Sequence, residues 1–159
     1  EKIGKFQSIR EADIFDIEYW PLEQAKLSGS RRASLSGRVV VVTGGAGAIG
    51  KATANAFKAE GAKVVLLDMS EARLRQVARD VGGHSICCDV TDREEVNSTF
   101  RKICELCGGI DIVVSNAGVA SQGRIGEVSD EALRSSFDVN FFAHQKLRYP
   151  RALPFPITL

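Results

Sequence analysis

Runs of apolar residues alternate along this chain with stretches of helical periodicity. Val39-Val40-Val41-Val42 places four β-branched residues in succession, which suits a strand buried on both faces. Lys63-Val64-Val65-Leu66-Leu67-Asp68, His84-Ser85-Ile86-Cys87-Cys88-Asp89 and Ile110-Asp111-Ile112-Val113-Val114-Ser115-Asn116 repeat the theme. The pattern predicts strands over 38–43, 63–68, 84–89 and 110–116, and helices over 49–60, 71–81, 92–107 and 130–145. Strands alternating with helices predict an α/β fold built on a doubly wound parallel sheet. Right-handed crossovers put the strands, counted along the chain, in the order 3-2-1-4, in three α/β/α layers.

The turn after the first strand carries the chemistry. Thr43-Gly44-Gly45-Ala46-Gly47-Ala48-Ile49-Gly50 holds a G-x-G-x-x-G at Gly45, Gly47 and Gly50. Between a strand and an alanine-rich helix it reads as the phosphate-binding turn of a dinucleotide site. Such a turn lets backbone approach a pyrophosphate, whose charge is met by free N–H groups and the positive helix end. On this reading a side chain at Gly45 or Gly47 blocks the approach, and Gly50 lets the helix lie close against the sheet.

Asp68, ending the second strand, adds to this reading: ribose recognition needs an acid about 20 residues beyond the glycines. A carboxylate there accepts hydrogen bonds from ribose hydroxyls and repels a 2′-phosphate. Met69 and Ser70 offer no positive charge, so the expected cofactor is NAD rather than NADP. The plain alternative is a solvated Asp at a strand end.

These residues resemble the short-chain dehydrogenase/reductase family, whose opening motif is T-G-x-x-x-G-x-G. Thr43 to Gly50 fits it, with Ala48 where the family has its second glycine; the extra methyl matters only if that position needs a positive φ. Asp89-Val90 matches the family's adenine-contacting Asp. Asn116-Ala117-Gly118 matches its N-A-G motif, and Asn140, in Phe137-Asp138-Val139-Asn140, the Asn of its catalytic tetrad. The resemblance covers residues 37 to about 145 and implies a partial Rossmann fold. It implies cofactor contacts from Gly44, Gly45, Gly47, Ala48, Ile49, Gly50, Asp68, Asp89, Val90, Asn116, Ala117 and Gly118, and a catalytic part for Asn140. Each later motif also has a plain reading. Asp89 suits a cap for the next helix, Asn116 a turn, and Asn140 a buried amide satisfying a kinked helix.

The family's chemistry rests on a Tyr-x-x-x-Lys pair one helical turn apart, the Lys lowering the Tyr pKa so that a phenolate takes the alcohol proton. Here Tyr19 is followed four places on by Glu23, and Tyr149 by Leu153. The expectation is therefore a cofactor-binding portion without catalytic turnover. The alternative is a small dinucleotide-binding or interaction module that never did chemistry. After Gln145, Pro150, Pro154 and Pro156 crowd a stretch unlike a helix or the family. A frameshift or gene-end error is the preferred explanation, a natural short tail the other.

The first residue is Glu, not Met. Residues 12–27 carry an apolar face, and 28–36 read as a Ser-, Gly- and Arg-rich linker. Phe15 to Leu27 resembles the junction of bacterial bifunctional rhamnulose-1-phosphate aldolase/short-chain dehydrogenases. That resemblance implies a preceding aldolase domain and lactaldehyde as the dehydrogenase substrate. The expected division is 1–36 as junction, 37–145 as the Rossmann half-domain and 146–159 as a tail.

Composition narrows the partners. The 159 residues carry a net charge of +1, which does not suit a polyanion binder, and Arg31-Arg32 is too short for a nucleic-acid patch. No membrane-length apolar run occurs before the first strand. Cys104-Glu105-Leu106-Cys107 is a single C-x-x-C in a helical pattern, weak as a zinc site, and Cys87-Cys88 reads as apolar filling of a buried strand. No metal is expected. The four cysteines read as unpaired thiols of a cytoplasmic enzyme, and the family implies a homo-oligomeric parent. His84 and His144 read as structural or exposed.

Overall fold

The computed structural model describes residues 34–124 and 126–148. The chain divides into two compact units, Glu1–Arg32 and Ala33–Leu159, and every described residue belongs to the second. The junction segment, most of the linker and residues 149–159 lie outside the described residues.

The elements follow in the order β1 (Val39–Thr43), α1 (Ala48–Ala59), β2 (Lys63–Asp68), α2 (Glu71–Val81), β3 (His84–Cys87), α3 (Arg93–Cys107), β4 (Ile112–Val114), α4 (Asp130–Phe137), a π-helical turn (Asp138–Phe142) and α5 (Ala143–Arg148). The four strands form one sheet in the order β3-β2-β1-β4, with every pair parallel. Val41 of β1 stands opposite Val65 on one side and Val113 on the other.

The unbroken valine run has the predicted consequence. Successive side chains of a strand point to opposite faces, so β1 feeds two cores. Val39 and Val41 pack with Val65, Leu67, Phe100, Ile103 and Leu147 beneath α3 and α5. Val40 and Val42 pack with Val64, Leu66, Ala54, Leu74 and Ala78 beneath α1 and α2. Each fully buried valine of this kind contributes about 1.5–3 kcal/mol over an exposed one. The helices supply their stripes at the expected spacing: Val96, Phe100 and Ile103 of α3 are wholly buried. That helix starts at Asp92, whose carboxylate accepts from the N–H groups of Glu94 and Glu95, and α2 ends at Gly82, left-handed at φ 68°.

Three elements differ from the sequence reading by more than one residue at an end, each for a local reason. β4 is shorter than 110–116 because side chains take over both ends of its ladder. At the start, Asp111 accepts the Val39 N–H at 2.8 Å; at the end, the Asn116 and Ala117 N–H groups turn to the Thr43 hydroxyl. β3 stops at Cys87 and lies at the sheet edge, so Cys87 is exposed and only Cys88 is buried filling. The helix expected over 130–145 is interrupted by the π turn and then runs on to Arg148. Leu147 lies four residues after Ala143, on the same buried face, and both enter the core.

Candidate functional site

The glycine loop lies between the end of β1 and the start of α1, and its glycines do different jobs. Gly44 is left-handed at φ 64°, and a Cβ there would lie 2.9 Å from the Ala117 Cα. A Cβ on Gly45 would meet the Leu66 Cβ at 2.8 Å. The bare backbone at Gly45 therefore serves packing onto β2, not ligand access as the sequence suggested. A Cβ on Gly47 would meet one atom, the Gly44 carbonyl oxygen, at a tight 3.3 Å, the mildest of the four contacts. A Cβ on Gly50 would lie 2.3 Å from that same oxygen, so the surface the helix approaches here is the loop itself. Ala48 begins α1, and no non-glycine described residue has positive φ; the alanine is accommodated without strain.

The loop's amides divide into spent and free. Gly45 N–H donates to the Leu67 carbonyl at 2.9 Å, and Gly47 N–H to the Gly44 carbonyl at 3.1 Å. Ala46 N–H donates to Asp68 Oδ2 at 3.1 Å. The amides of Ala48, Ile49 and Gly50 have no acceptor among the described residues. The first turn carries no acidic residue. An uncapped N-terminus of this kind attracts an anion.

Asp68 sits at the end of β2, half-buried. Besides the Ala46 amide it accepts the Ser70 N–H at 2.9 Å, so it orients the loop as well as facing the cleft. Asp89 accepts both the N–H and the hydroxyl of Thr91, at 2.8 and 2.7 Å. The cap of α3 is Asp92, not Asp89.

Thr43 joins the loop to β4. Its hydroxyl is fully buried, accepts the N–H groups of Asn116 and Ala117 at 3.0 Å each, and donates to the Val114 carbonyl at 3.4 Å. One donor and two acceptors are all a hydroxyl has. The Asn116 side-chain amide donates to the Thr43 carbonyl at 2.9 Å. Asn140, in the π turn, is exposed. Its Oδ1 accepts the Val119 N–H at 2.9 Å and its Nδ2 donates to the Val119 carbonyl at 2.8 Å. It satisfies a neighbouring loop and not its own helix.

Some of these parts meet in a cleft of about 140 Å³ at the strand ends, where β1 parts the chain's path toward β2 from its return at β4; Gly45, Gly47, Ala48, Ile49, Gly50, Asn116 and Asn140 do not line it. Gly44, Asp68, Asp89, Val90, Ala117 and Gly118, all singled out from the sequence, line it together with Leu67, Met69, Cys88, Val119 and Val139. Thr43 was absent from the predicted contacts, although a polar residue ending an all-valine strand is a visible signal. The Cys88 thiol in the cleft wall is pushed up to about 11, by burial first, against a hydrogen bond to Thr99; it is an inert thiol. The Cys104 thiol is raised by burial and by Cys107 beside it. Among the described residues no cluster of three or more His, Cys, Asp or Glu is placed to hold a metal ion. No described helix is long and apolar enough to cross a membrane. A larger, more open groove of about 490 Å³, lined by Asp130, Leu133, Arg134, Phe137, Asp138 and Phe142, contains none of the predicted site residues.

Comparison with known proteins bears on this cleft. Residues 38–148 match the family model described as short chain dehydrogenase, and residues 1–27 match that described as aldolase class II, second domain. The chain is 37% identical over 135 residues to the uncharacterized oxidoreductase YuxG of Bacillus subtilis, covering 80% of this chain and 20% of that protein. It is 36% identical over 108 residues to galactitol 2-dehydrogenase of Agrobacterium fabrum, covering 67% of this chain and 42% of that one. A crystal structure of a short chain dehydrogenase from Mycobacterium smegmatis superposes with a TM-score of 0.71 at 31% identity, over 75% of this chain and 52% of that chain. The chain thus spans between a fifth and about half of these relatives. The strand order, the glycine loop on the first helix and the match over 38–148 agree, and the chain belongs to the short-chain dehydrogenase/reductase family.

Proposed function

We propose that the cleft binds NAD(H), and that these residues are the cofactor-binding portion of an oxidoreductase that moves hydride between an alcohol or aldehyde and NAD. The observation that carries the reading is the convergence of Asp68, Asp89, Gly44 and Ala117-Gly118 on one cleft beside a helix start whose amides are free.

The residues present fit a dinucleotide. The amides of Ala48, Ile49 and Gly50 would hold the pyrophosphate, and Gly47 would let it approach. Asp68 keeps acceptor capacity for ribose hydroxyls beyond its two backbone bonds. Asp89 and Val90 would meet the adenine, and Asn116-Ala117-Gly118 would flank the cofactor. Asn140 would serve the catalytic end by holding the Val119 backbone. NAD, when bound, supplies the nicotinamide that accepts or returns the hydride. The 159 residues contain no Tyr-x-x-x-Lys, and we infer that this polypeptide binds cofactor without turnover. Lactaldehyde is the candidate substrate of the parent enzyme, on the support of the junction segment and the aldolase match over residues 1–27. A cytoplasmic site and a homo-oligomeric parent complete the reading.

Calorimetric titration of the 159-residue protein tests it. NAD should bind more tightly than NADP, and Gly47→Ala, whose added methyl makes a single protein contact at 3.3 Å, should weaken binding with the far-UV circular dichroism unchanged. Equal affinity for the two cofactors, or no binding at all, would defeat the reading.

A further inference from the structure

The turn between β3 and α3 is braced from a distance by α5. Ala143 and Leu147 of α5 are buried in the cluster that holds Val90 and Val96. This seats Lys146 where its ammonium donates a hydrogen bond to the Thr91 carbonyl. Asp89 closes the same turn locally, accepting twice from Thr91 through Oδ1, while the Asp92 N–H donates to the Asp89 carbonyl at 3.1 Å. Asp89 Oδ2 takes no hydrogen bond among the described residues, and Asp89 and Val90 line the cleft. Asp92 bonds the turn forward to the start of α3, which follows it directly in sequence; the Lys146 bond ties the turn to an element 55 positions away. It is charge-assisted, hence stronger than a neutral bond.

We propose that Lys146 is a positioning residue of the cleft. By holding the Thr91 carbonyl it fixes the turn, and through the turn it fixes where Asp89 Oδ2 stands for an incoming N–H donor such as the exocyclic amine of an adenine ring. Lys146 acts through Thr91 and Asp89 and touches no ligand itself. The ligand half of this inference rests on the dinucleotide reading above; the hold on the turn does not.

The experiment compares the full chain with Lys146→Met and Lys146→Arg in two measurements. The first is amide hydrogen exchange across residues 90–92 without ligand. The second is calorimetric binding of NAD and of nicotinamide hypoxanthine dinucleotide, which lacks the adenine amine. Lys146→Met should speed exchange in the turn and weaken NAD by about tenfold, with the hypoxanthine analogue much less affected. Lys146→Arg should restore both. Unchanged exchange and an unchanged ratio of the two affinities would overturn the proposal. So would an equal loss of both ligands with a lowered Tm, the mark of a merely structural residue. A wild type that binds neither dinucleotide would remove the cofactor reading. Faster exchange in Lys146→Met would then still uphold the hold on the turn, and unchanged exchange would overturn that as well.

Discussion

The hydroxyl of Thr43 and the main chain of Asn116 are bonded at 3.0 Å across 73 positions of sequence. That contact joins the glycine loop to the end of β4. Because the same oxygen also accepts the Ala117 N–H, Thr43→Val keeps the shape but leaves two amides without their partner. The expected loss is about 1–3 kcal/mol of unfolding free energy, read from urea denaturation, and Thr43→Ser should recover most of it. A Val variant as stable as the wild type would show that these bonds contribute nothing.

The glycines of the loop should separate by substitution. Gly50→Ala forces a methyl to 2.3 Å from the Gly44 oxygen, a backbone clash that costs about 1–3 kcal/mol. Gly47→Ala brings a methyl to 3.3 Å from the same oxygen at a helix N-cap, where alanine is a poorer cap than glycine by up to about 1 kcal/mol. Thermal melts of the two variants should therefore differ, with Gly50→Ala the lower. The reverse order would contradict the loop geometry.

Asp68 should set cofactor choice and loop order together. Asp68→Ala removes the acceptor of the Ala46 and Ser70 amides as well as the expected repulsion of a 2′-phosphate. The expected result is weaker NAD binding and a smaller NAD/NADP ratio by calorimetry. A large loss of NAD affinity with the ratio intact would mean that Asp68 only shapes the loop.

Asp111 gives the acid limb of stability a defined sign. The Val39 N–H and then the Arg38 guanidinium beside it hold its carboxyl below the usual carboxylate range. A lowered folded-state pKa means that the stabilisation is fully present above the unfolded value of about 4 and is lost as pH falls through the folded one. The wild type should therefore lose stability below about pH 4 more steeply than Asp111→Asn. Parallel acid limbs in denaturation curves would refute this.

The 159-residue polypeptide should bind cofactor without oxidising lactaldehyde or simple alcohols. A positioned acid–base group is worth about 10²- to 10⁴-fold in rate, and neither Tyr19 nor Tyr149 has a lysine four residues on. NADH formation by the purified, metal-free protein, above a Gly44→Asp control, would contradict the inference.

Much of this molecule was legible in its sequence because the signals are local. A valine run with no polar gap can satisfy itself only between two apolar layers. Helical stripes such as Val96, Phe100 and Ile103 need only spacing, and the β-α alternation with right-handed crossovers leaves few strand orders open. The glycine loop, Asp68, Asp89 and the Asn116-Ala117-Gly118 motif could be named for the same reason, and six predicted residues line one cleft. Only the tertiary structure decided what each residue touches. Gly45 yields to Leu66 and Gly50 to the Gly44 oxygen, distinctions invisible in a motif that spells both as G. β4 lost residues at both ends because Asp111 and Thr43, distant in sequence from their partners, captured the amides its ladder would have used. The helix ran on to Arg148 because the Leu147 side chain found the core, and that brought Lys146 to Thr91 across 55 positions. Sequence periodicity states which faces must be buried; which backbone groups a side chain meets there depends on chain segments that approach one another only after folding.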